Sequence, residues 1–276
     1  MILETINLKE HFPMLKHDLM LTSYCPDNYL EFSTTKKRKV VLVLPGGGYA
    51  FLSDREAEPV ALRFLGKNIA TFVLKYNINE RLVYPAPYIE VFAALAYIRK
   101  HADHFHIDVN KISVCGFSAG GHCAAASSAF CHKQEFADIL NVNLSEIKIN
   151  GCILGYPVIS TSFGHEGTIS TATKGDPYLM ELLSIDKQVT PEYPKTFIWH
   201  TTFDTCVPLR NSLALAEALE DNKVFFEMHI YPMHDHGQSL SDASVYNDDM
   251  PRQILEEMKH NTQWIDNAIH FVEQYI

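Results

Sequence analysis

A serine hydroxyl is a poor nucleophile at neutral pH unless an imidazole takes its proton and a carboxylate fixes the tautomer of that imidazole. The chain carries a serine in a setting suited to this chemistry: Gly116-Phe117-Ser118-Ala119-Gly120, directly after Lys111-Ile112-Ser113-Val114-Cys115. The form is G-x-S-x-G, where a short β-branched run gives way to an Ala-rich one. A tight strand-to-helix bend there would push the Ser118 hydroxyl clear of the backbone, and small flanking residues let strand and helix approach. Downstream, Asp204 stands in Phe203-Asp204-Thr205-Cys206-Val207-Pro208, and two histidines stand in Tyr231-Pro232-Met233-His234-Asp235-His236-Gly237. Serine, acid and base in that order, each just past an apolar run, could converge at one edge of a parallel sheet.

His236 is preferred over His234 as the base, because Gly237 beside it permits close approach and an unusual backbone angle. A metal site built from His234, Asp235 and His236 is disfavoured, since neighbouring loop residues rarely supply tetrahedral geometry alone. Pro45-Gly46-Gly47-Gly48-Tyr49 follows another apolar run and leaves backbone N–H groups bare. Those donors, together with the N–H of Ala119, suit a developing oxyanion. A phosphate cradle is the competing use of such a loop, but G-x-x-x-x-G-K-[ST] is absent. His122, one helical turn past Ser118, reads as a packed helix residue. Asp108 reads as a turn former before a strand, and Glu56 as a favourable first-turn acid of a helix opening at Asp54-Arg55-Glu56. Tyr49, Tyr156 and Phe203 are expected to line a substrate pocket, with Tyr49 the candidate substrate contact.

The elements that must position these residues alternate. Strands are expected at 40–44, 70–74, 112–115, 151–156, 196–200 and 224–231, and an antiparallel edge strand near 19–24. Helices are expected near 56–65, from Pro87 through Val91, Leu95, Ile98 and Ala102, across 122–129, across 208–219, and around Trp264, Ala268 and Val272. The continuous run Val40-Val41-Leu42-Val43-Leu44 fits a strand covered on both faces. This is an α/β class chain with a mostly parallel sheet and helices on both faces, read as one domain over 1–276. Stretches 157–194 and 239–260 show no regular pattern and lie where open α/β sheets place ligands, so they are expected to wall the site.

Composition narrows the function. A formal net charge of −10, with no basic run longer than Lys36-Lys37-Arg38-Lys39, argues against nucleic acid or an anionic membrane as partner. No apolar run approaches the ~20 residues of a membrane helix, and the first ten residues lack a leader pattern. Six scattered cysteines without C-x-x-C spacing read as reduced, mostly buried thiols, which suits a cytoplasmic protein. No cofactor or metal is required by this reading. A small-molecule partner is the expectation, with an ester the class implied by the resemblance below, and a homodimer is compatible with the sequence.

Taken together, Pro-Gly-Gly-Gly-Tyr at 45–49, Gly-Phe-Ser-Ala-Gly-Gly-His at 116–122, Asp204-x-x-Val207-Pro208 and His236-Gly237 resemble the α/β-hydrolase esterases. The resemblance is to the acetyl esterase and acetylxylan-esterase-like branch (BD-FAE-like), from about residue 38 onward. It implies Ser118 as nucleophile, Asp204 as acid, His236 as base, and Gly47, Gly48 and Ala119 as oxyanion donors. Broader relatives carry His-Gly-Gly-Gly where Pro45 stands here, so a large cap domain is not expected. The implied activity is hydrolysis of short acyl esters, acetyl first, including esters of sugars or oligosaccharides. A peptidase or amidase of the same fold (formamidase included) shares the same residues, and a non-catalytic binding protein on this scaffold is the third reading.

Overall fold

The computed structural model describes residues 1–31, 33–232, 234–246 and 249–276. Its centre is an eight-stranded sheet. In chain order the strands are β1 (Ile2–Asn7), β2 (Met20–Cys25), β3 (Arg38–Leu44), β4 (Ala70–Lys75), β5 (Ile107–Phe117), β6 (Gly151–Gly155), β7 (Lys195–Thr201) and β8 (Phe226–Tyr231). Across the sheet they run β1-β2-β4-β3-β5-β6-β7-β8. The six from β3 to β8 are mutually parallel, while β2 is antiparallel to both β1 and β4.

β3 shows why the sheet sits at the middle. Its side chains alternate between faces: Val40, Leu42 and Leu44 enter one apolar core, Val41 and Val43 the other. The first core is closed by helix α2 (Ala86–Lys100) and helix α3 (Ser118–Phe130), the second by helix α1 (Glu58–Leu65) and the C-terminal helix α9 (Gln263–Tyr275). With both faces covered, parallel strands become continuous apolar runs. This is the α/β-hydrolase arrangement.

Three expectations change. The strand near 19–24 is β2, one place in from the edge; the outermost strand is β1, whose Glu4 and exposed Leu3 disguise it as a polar leader segment. β5 begins at Ile107, so the Asp108-Val109-Asn110 turn is part of the strand, where Asp108 still accepts the Asn110 N–H at 2.9 Å. The register of β3 on β5 shifts just there, between Arg38 and Val40. The stretch 157–194 is partly helical: α5 (Glu166–Thr173) is capped by the His165 side chain, and α6 (Pro177–Leu182) by Asp176, with Pro177 in the first turn. Helices α4 (Gln134–Leu140), α7 (Arg210–Asp221) and α8 (Arg252–Met258) complete the set named here. Asn247 and Asp248, within the 239–260 stretch, and Met233, within the histidine run, lie outside the described residues. Among the described residues no helix is long and apolar enough to cross a membrane.

Candidate active site

Ser118 is the first residue of α3 and has φ +53°, the left-handed region that L-residues rarely enter. The bend that forces this angle depends on Gly116 and Gly120. A Cβ on Gly120 would lie 2.2 Å from the Leu44 carbonyl oxygen, and one on Gly116 would lie 2.2 Å from the Gly120 oxygen. Any side chain at either position would push α3 off the sheet. The close approach thus sets the Ser118 hydroxyl at the C-terminal edge of β5.

That hydroxyl lies 2.8 Å from His236 Nε2, and His236 Nδ1 lies 2.6 Å from Asp204 Oδ2. Asp204 can only accept at neutral pH, so Nδ1 carries the proton and Nε2 is free to accept from Ser118. Three loops after three different strands (β5, β7 and β8) therefore meet in one relay. His234 is not part of it: its Nε2 is 3.8 Å from Glu257 Oε2, and its backbone has φ +69°.

Asp204 is held firmly. Its Oδ1 accepts the N–H groups of Cys206 at 3.0 Å and Val207 at 2.7 Å, and the buried His200 Nε2 lies 3.2 Å from Oδ2. Burial opposes the charge, but the hydrogen bonds from His200 and His236 and the Val207 N–H outweigh it. The carboxylate is thereby kept well below its ordinary range. Asp235, for which the sequence reading had no role beyond a disfavoured metal site, ties the two loops together. Its carboxylate accepts the N–H of Thr205 and of His236, both at 2.8 Å.

The glycine loop follows β3. Gly47 has φ +125° and Gly48 φ +63°, and the Gly46 and Gly47 carbonyls accept the Ser53 and Ala50 N–H groups to close a compact turn. Gly47, Gly48, Ser118 and His236 line one cleft of about 460 Å³. Ala119 is the second residue of α3, so its N–H has no partner inside the helix. Backbone N–H groups so placed can hold negative charge on a carbonyl oxygen undergoing attack at Ser118.

Further cleft walls come from Phe51, Arg55, His165, Thr171 and Cys206. Of these, Cys206 lies in the Asp204 motif and Arg55 in the Asp54-Arg55-Glu56 run read as a helix start; Phe51, His165 and Thr171 sit in sequence with no motif to mark them. The 157–194 stretch does supply a wall, through His165, Gly167 and Thr171, whereas among the described residues none from 239–260 lines the cleft. That stretch instead braces the histidine loop from behind: Tyr246 donates to the Gln238 carbonyl, and the Ser239 carbonyl is itself held by Trp264 Nε1 of α9 at 2.8 Å.

Three aromatic expectations are corrected. Tyr49 does not face the cleft; its ring is 1% exposed and its hydroxyl donates to His122 Nδ1 at 2.8 Å. His122 in turn gives its Nε2 proton to the Leu183 carbonyl at 3.0 Å, and burial pushes its pKa down to about 4. The pair is a packed link between the glycine loop and α3, in keeping with the reading of His122 as a helix packing residue. Tyr156 is equally buried, with its ring edge against His236 at 4.9 Å between centroids. Phe203 is exposed but does not line the cleft either, so the expectation of a pocket wall fails for it as well. Glu56 is not a solvated first-turn acid. It ends a 3-10 turn (Asp54–Glu56) ahead of α1, and its carboxylate is 3% exposed.

An apolar cavity of about 380 Å³ between Met14, Leu15, Tyr84 and Ile89 has no serine, threonine or cysteine in its lining.

A family model described as BD-FAE matches residues 27–219. The chain is 34% identical over 221 residues to endo-1,4-beta-xylanase B of Butyrivibrio fibrisolvens, covering 76% of this chain and 34% of that protein. It spans under half the length of the curated relatives first matched. Among solved structures, a carboxylesterase of Lactobacillus plantarum superposes with a TM-score of 0.87 at 25% identity, covering 99% of this chain and 98% of that one. An acetyl ester-xyloside bifunctional hydrolase of Caldicellulosiruptor lactoaceticus gives 0.77 at 31% identity, with 96% of each chain covered.

Proposed function

Since this chain belongs to the BD-FAE family, we propose that it is a serine carboxylic-ester hydrolase working as one domain through Ser118, His236 and Asp204. The observation that carries the reading is the unbroken hydrogen-bonded path from Ser118 through His236 to Asp204, opening on the cleft that Gly47 and Gly48 line.

In this mechanism His236 Nε2 takes the Ser118 proton as Oγ attacks the ester carbonyl carbon. The carbonyl oxygen becomes an oxyanion held by the N–H groups of Gly47, Gly48 and Ala119. The imidazolium formed is stabilised by Asp204, which stays ionised. His236 then returns the proton to the departing alkoxide, and the alcohol leaves behind an acyl-serine. A water molecule gives its proton to His236 and attacks the acyl carbon; on collapse the acid leaves, and His236 returns that proton to Ser118 Oγ, restoring both residues.

Acetyl and other short acyl groups are the proposed acyl class, with an acylated sugar as the alcohol side. The named substrate type of the Caldicellulosiruptor relative supports this choice, as does a shallow cleft whose walls mix Phe51 with Arg55, His165 and Thr171. The test is a panel of p-nitrophenyl esters of rising acyl length, acetylated xylo-oligosaccharides and the matching amides. Rates highest on acetyl and falling with chain length, with little amide hydrolysis, are expected. Faster amide than ester turnover would replace the reading with an amidase, and a chain that neither turns over any ester nor reacts with a fluorophosphonate would be a binding protein.

A further inference from the structure

At the inner wall of the cleft, which it helps to line, Glu56 carries a largely buried carboxylate that the proposed chemistry does not use. Its Oε2 accepts the Gly46 N–H at 2.8 Å, and its Oε1 accepts the Tyr156 hydroxyl at 2.7 Å. The Tyr156 oxygen in turn accepts the Ser239 N–H at 2.8 Å. Ser239 Oγ donates back to the Arg55 carbonyl, next to Glu56. The chain of contacts thus begins on the glycine loop after β3, passes through the residue just past β6, and ends three residues beyond His236. Along it, the Tyr156 ring meets the His236 ring nearly edge-on, at 70° between planes.

The backbone along this path is strained. Tyr156 has φ +37° and Ser239 φ +51°, both non-glycine residues in a region that costs about 1 kcal/mol or more and persists only where neighbours enforce it. A buried carboxylate that accepts on both oxygens is a strong enforcer, since losing a partner would leave a charge buried without compensation. Burial pushes the Glu56 pKa up, while the Tyr156 hydroxyl, the Gly46 N–H and the nearby His236 favour the ionised form.

We propose that Glu56 and Tyr156 are positioning residues that lock the glycine loop and the histidine loop to each other, so that the oxyanion donors and the imidazole stay aimed at one carbonyl. The role rests on the esterase reading, and it makes the two loops a single mechanical unit though they are about 190 residues apart in sequence. Neither side chain touches the reacting atoms. Their contribution is geometric, and a displacement of about 1 Å at a reacting centre typically costs on the order of 100-fold in rate.

The test compares Glu56→Gln, Tyr156→Phe and the double variant with the parent. Steady-state kinetics on p-nitrophenyl acetate are combined with hydrogen–deuterium exchange of peptides covering 45–53 and 234–246. Gln keeps the shape but adds a second donor facing the Tyr156 hydroxyl; Phe keeps the ring and removes the hydroxyl. The expected result is a kcat lower by roughly 10- to 100-fold in each variant, with KM within about twofold. The double variant should fall no further than the worse single one, because the two residues act as a unit. Exchange should rise in both loops in either variant, including the glycine loop in Tyr156→Phe, whose Gly46 N–H Tyr156 reaches through Glu56. Exchange confined to the loop nearest the substitution, or kcat within twofold of the parent, would overturn the proposal. The exchange result stands even if the parent cleaves no ester, and in that event it is the esterase reading alone that fails.

Discussion

At the residue scale, the decisive feature is that each member of the Ser118–His236–Asp204 path has its protonation fixed by what it touches. Asp204 accepts from two backbone N–H groups besides His236, so it stays a carboxylate, and the imidazole is left with a bare Nε2 toward Ser118. Asp204→Asn should reverse that tautomer and lower kcat by about 10⁴-fold with KM little changed, as read by steady-state kinetics on p-nitrophenyl acetate. The two histidines separate equally sharply. His236→Ala should cost about 10⁴-fold or more, whereas His234→Ala should stay within a few-fold, since His234 sits beside Glu257 instead. The reverse order would reassign the base. Ser118, Asp204 and His236 were legible from the sequence because each occupies a short motif at a strand end. Glu56 and Tyr156 were not, because a buried hydrogen-bonded acid and a solvated helix-start acid look identical until the loop closes around them.

At the scale of elements, the strand–turn–helix unit of β5 and α3 is governed by contact distance. Gly120→Ala would place a methyl 2.2 Å from the Leu44 carbonyl at the end of β3 and 2.4 Å from that of Pro45, where the glycine loop begins. We expect a loss of about 1–3 kcal/mol in urea unfolding. Activity should fall with it, because the displaced helix bears Ser118. The Tyr49–His122–Leu183 link gives the same helix a pH dependence. His122 is held neutral in the fold, with its pKa depressed to about 4, whereas an unfolded histidine titrates near 6.5. Between those values the unfolded chain binds more protons, so stability is full above about pH 6.5 and is lost as pH falls toward 4. The full titration corresponds to something on the order of 3 kcal/mol. His122→Gln should therefore show a flatter stability profile than the parent over that window. Glu56, shifted upward by burial, contributes with the opposite sign but is common to both proteins, so their difference isolates His122. Equal slopes would mean that folding does not depress the His122 pKa. Elements with a clear period or a continuous apolar run were readable in advance. β1 and α5 were not, since β1 buries little of its length and α5 is short and rich in Ser and Thr.

Across the whole molecule, the sheet separates two cores, and its C-terminal edge gathers the loops after β3, β5, β7 and β8 at one cleft. The second core also serves the cleft through α9. Trp264 stacks on Trp199 with centroids 4.9 Å apart and holds the Ser239 carbonyl behind the histidine loop. Trp264→Ala should cost about 3–5 kcal/mol in urea unfolding and reduce kcat at temperatures where the fold persists. An unchanged unfolding midpoint would show that α9 is dispensable. The sequence could announce which strands exist but not which of the irregular stretches would face inward. The 157–194 stretch walls the cleft while 239–260 braces it, and only the crossing of strands decides that division. The most direct measurement is a rapid-mixing assay with p-nitrophenyl acetate, coupled to mass mapping of the trapped acyl group. One equivalent of p-nitrophenol released in a burst, with the acetyl on Ser118 and no burst in Ser118→Ala, is the predicted result. Hydrolysis undiminished in Ser118→Ala, or an acetyl group trapped on a different residue, would contradict it.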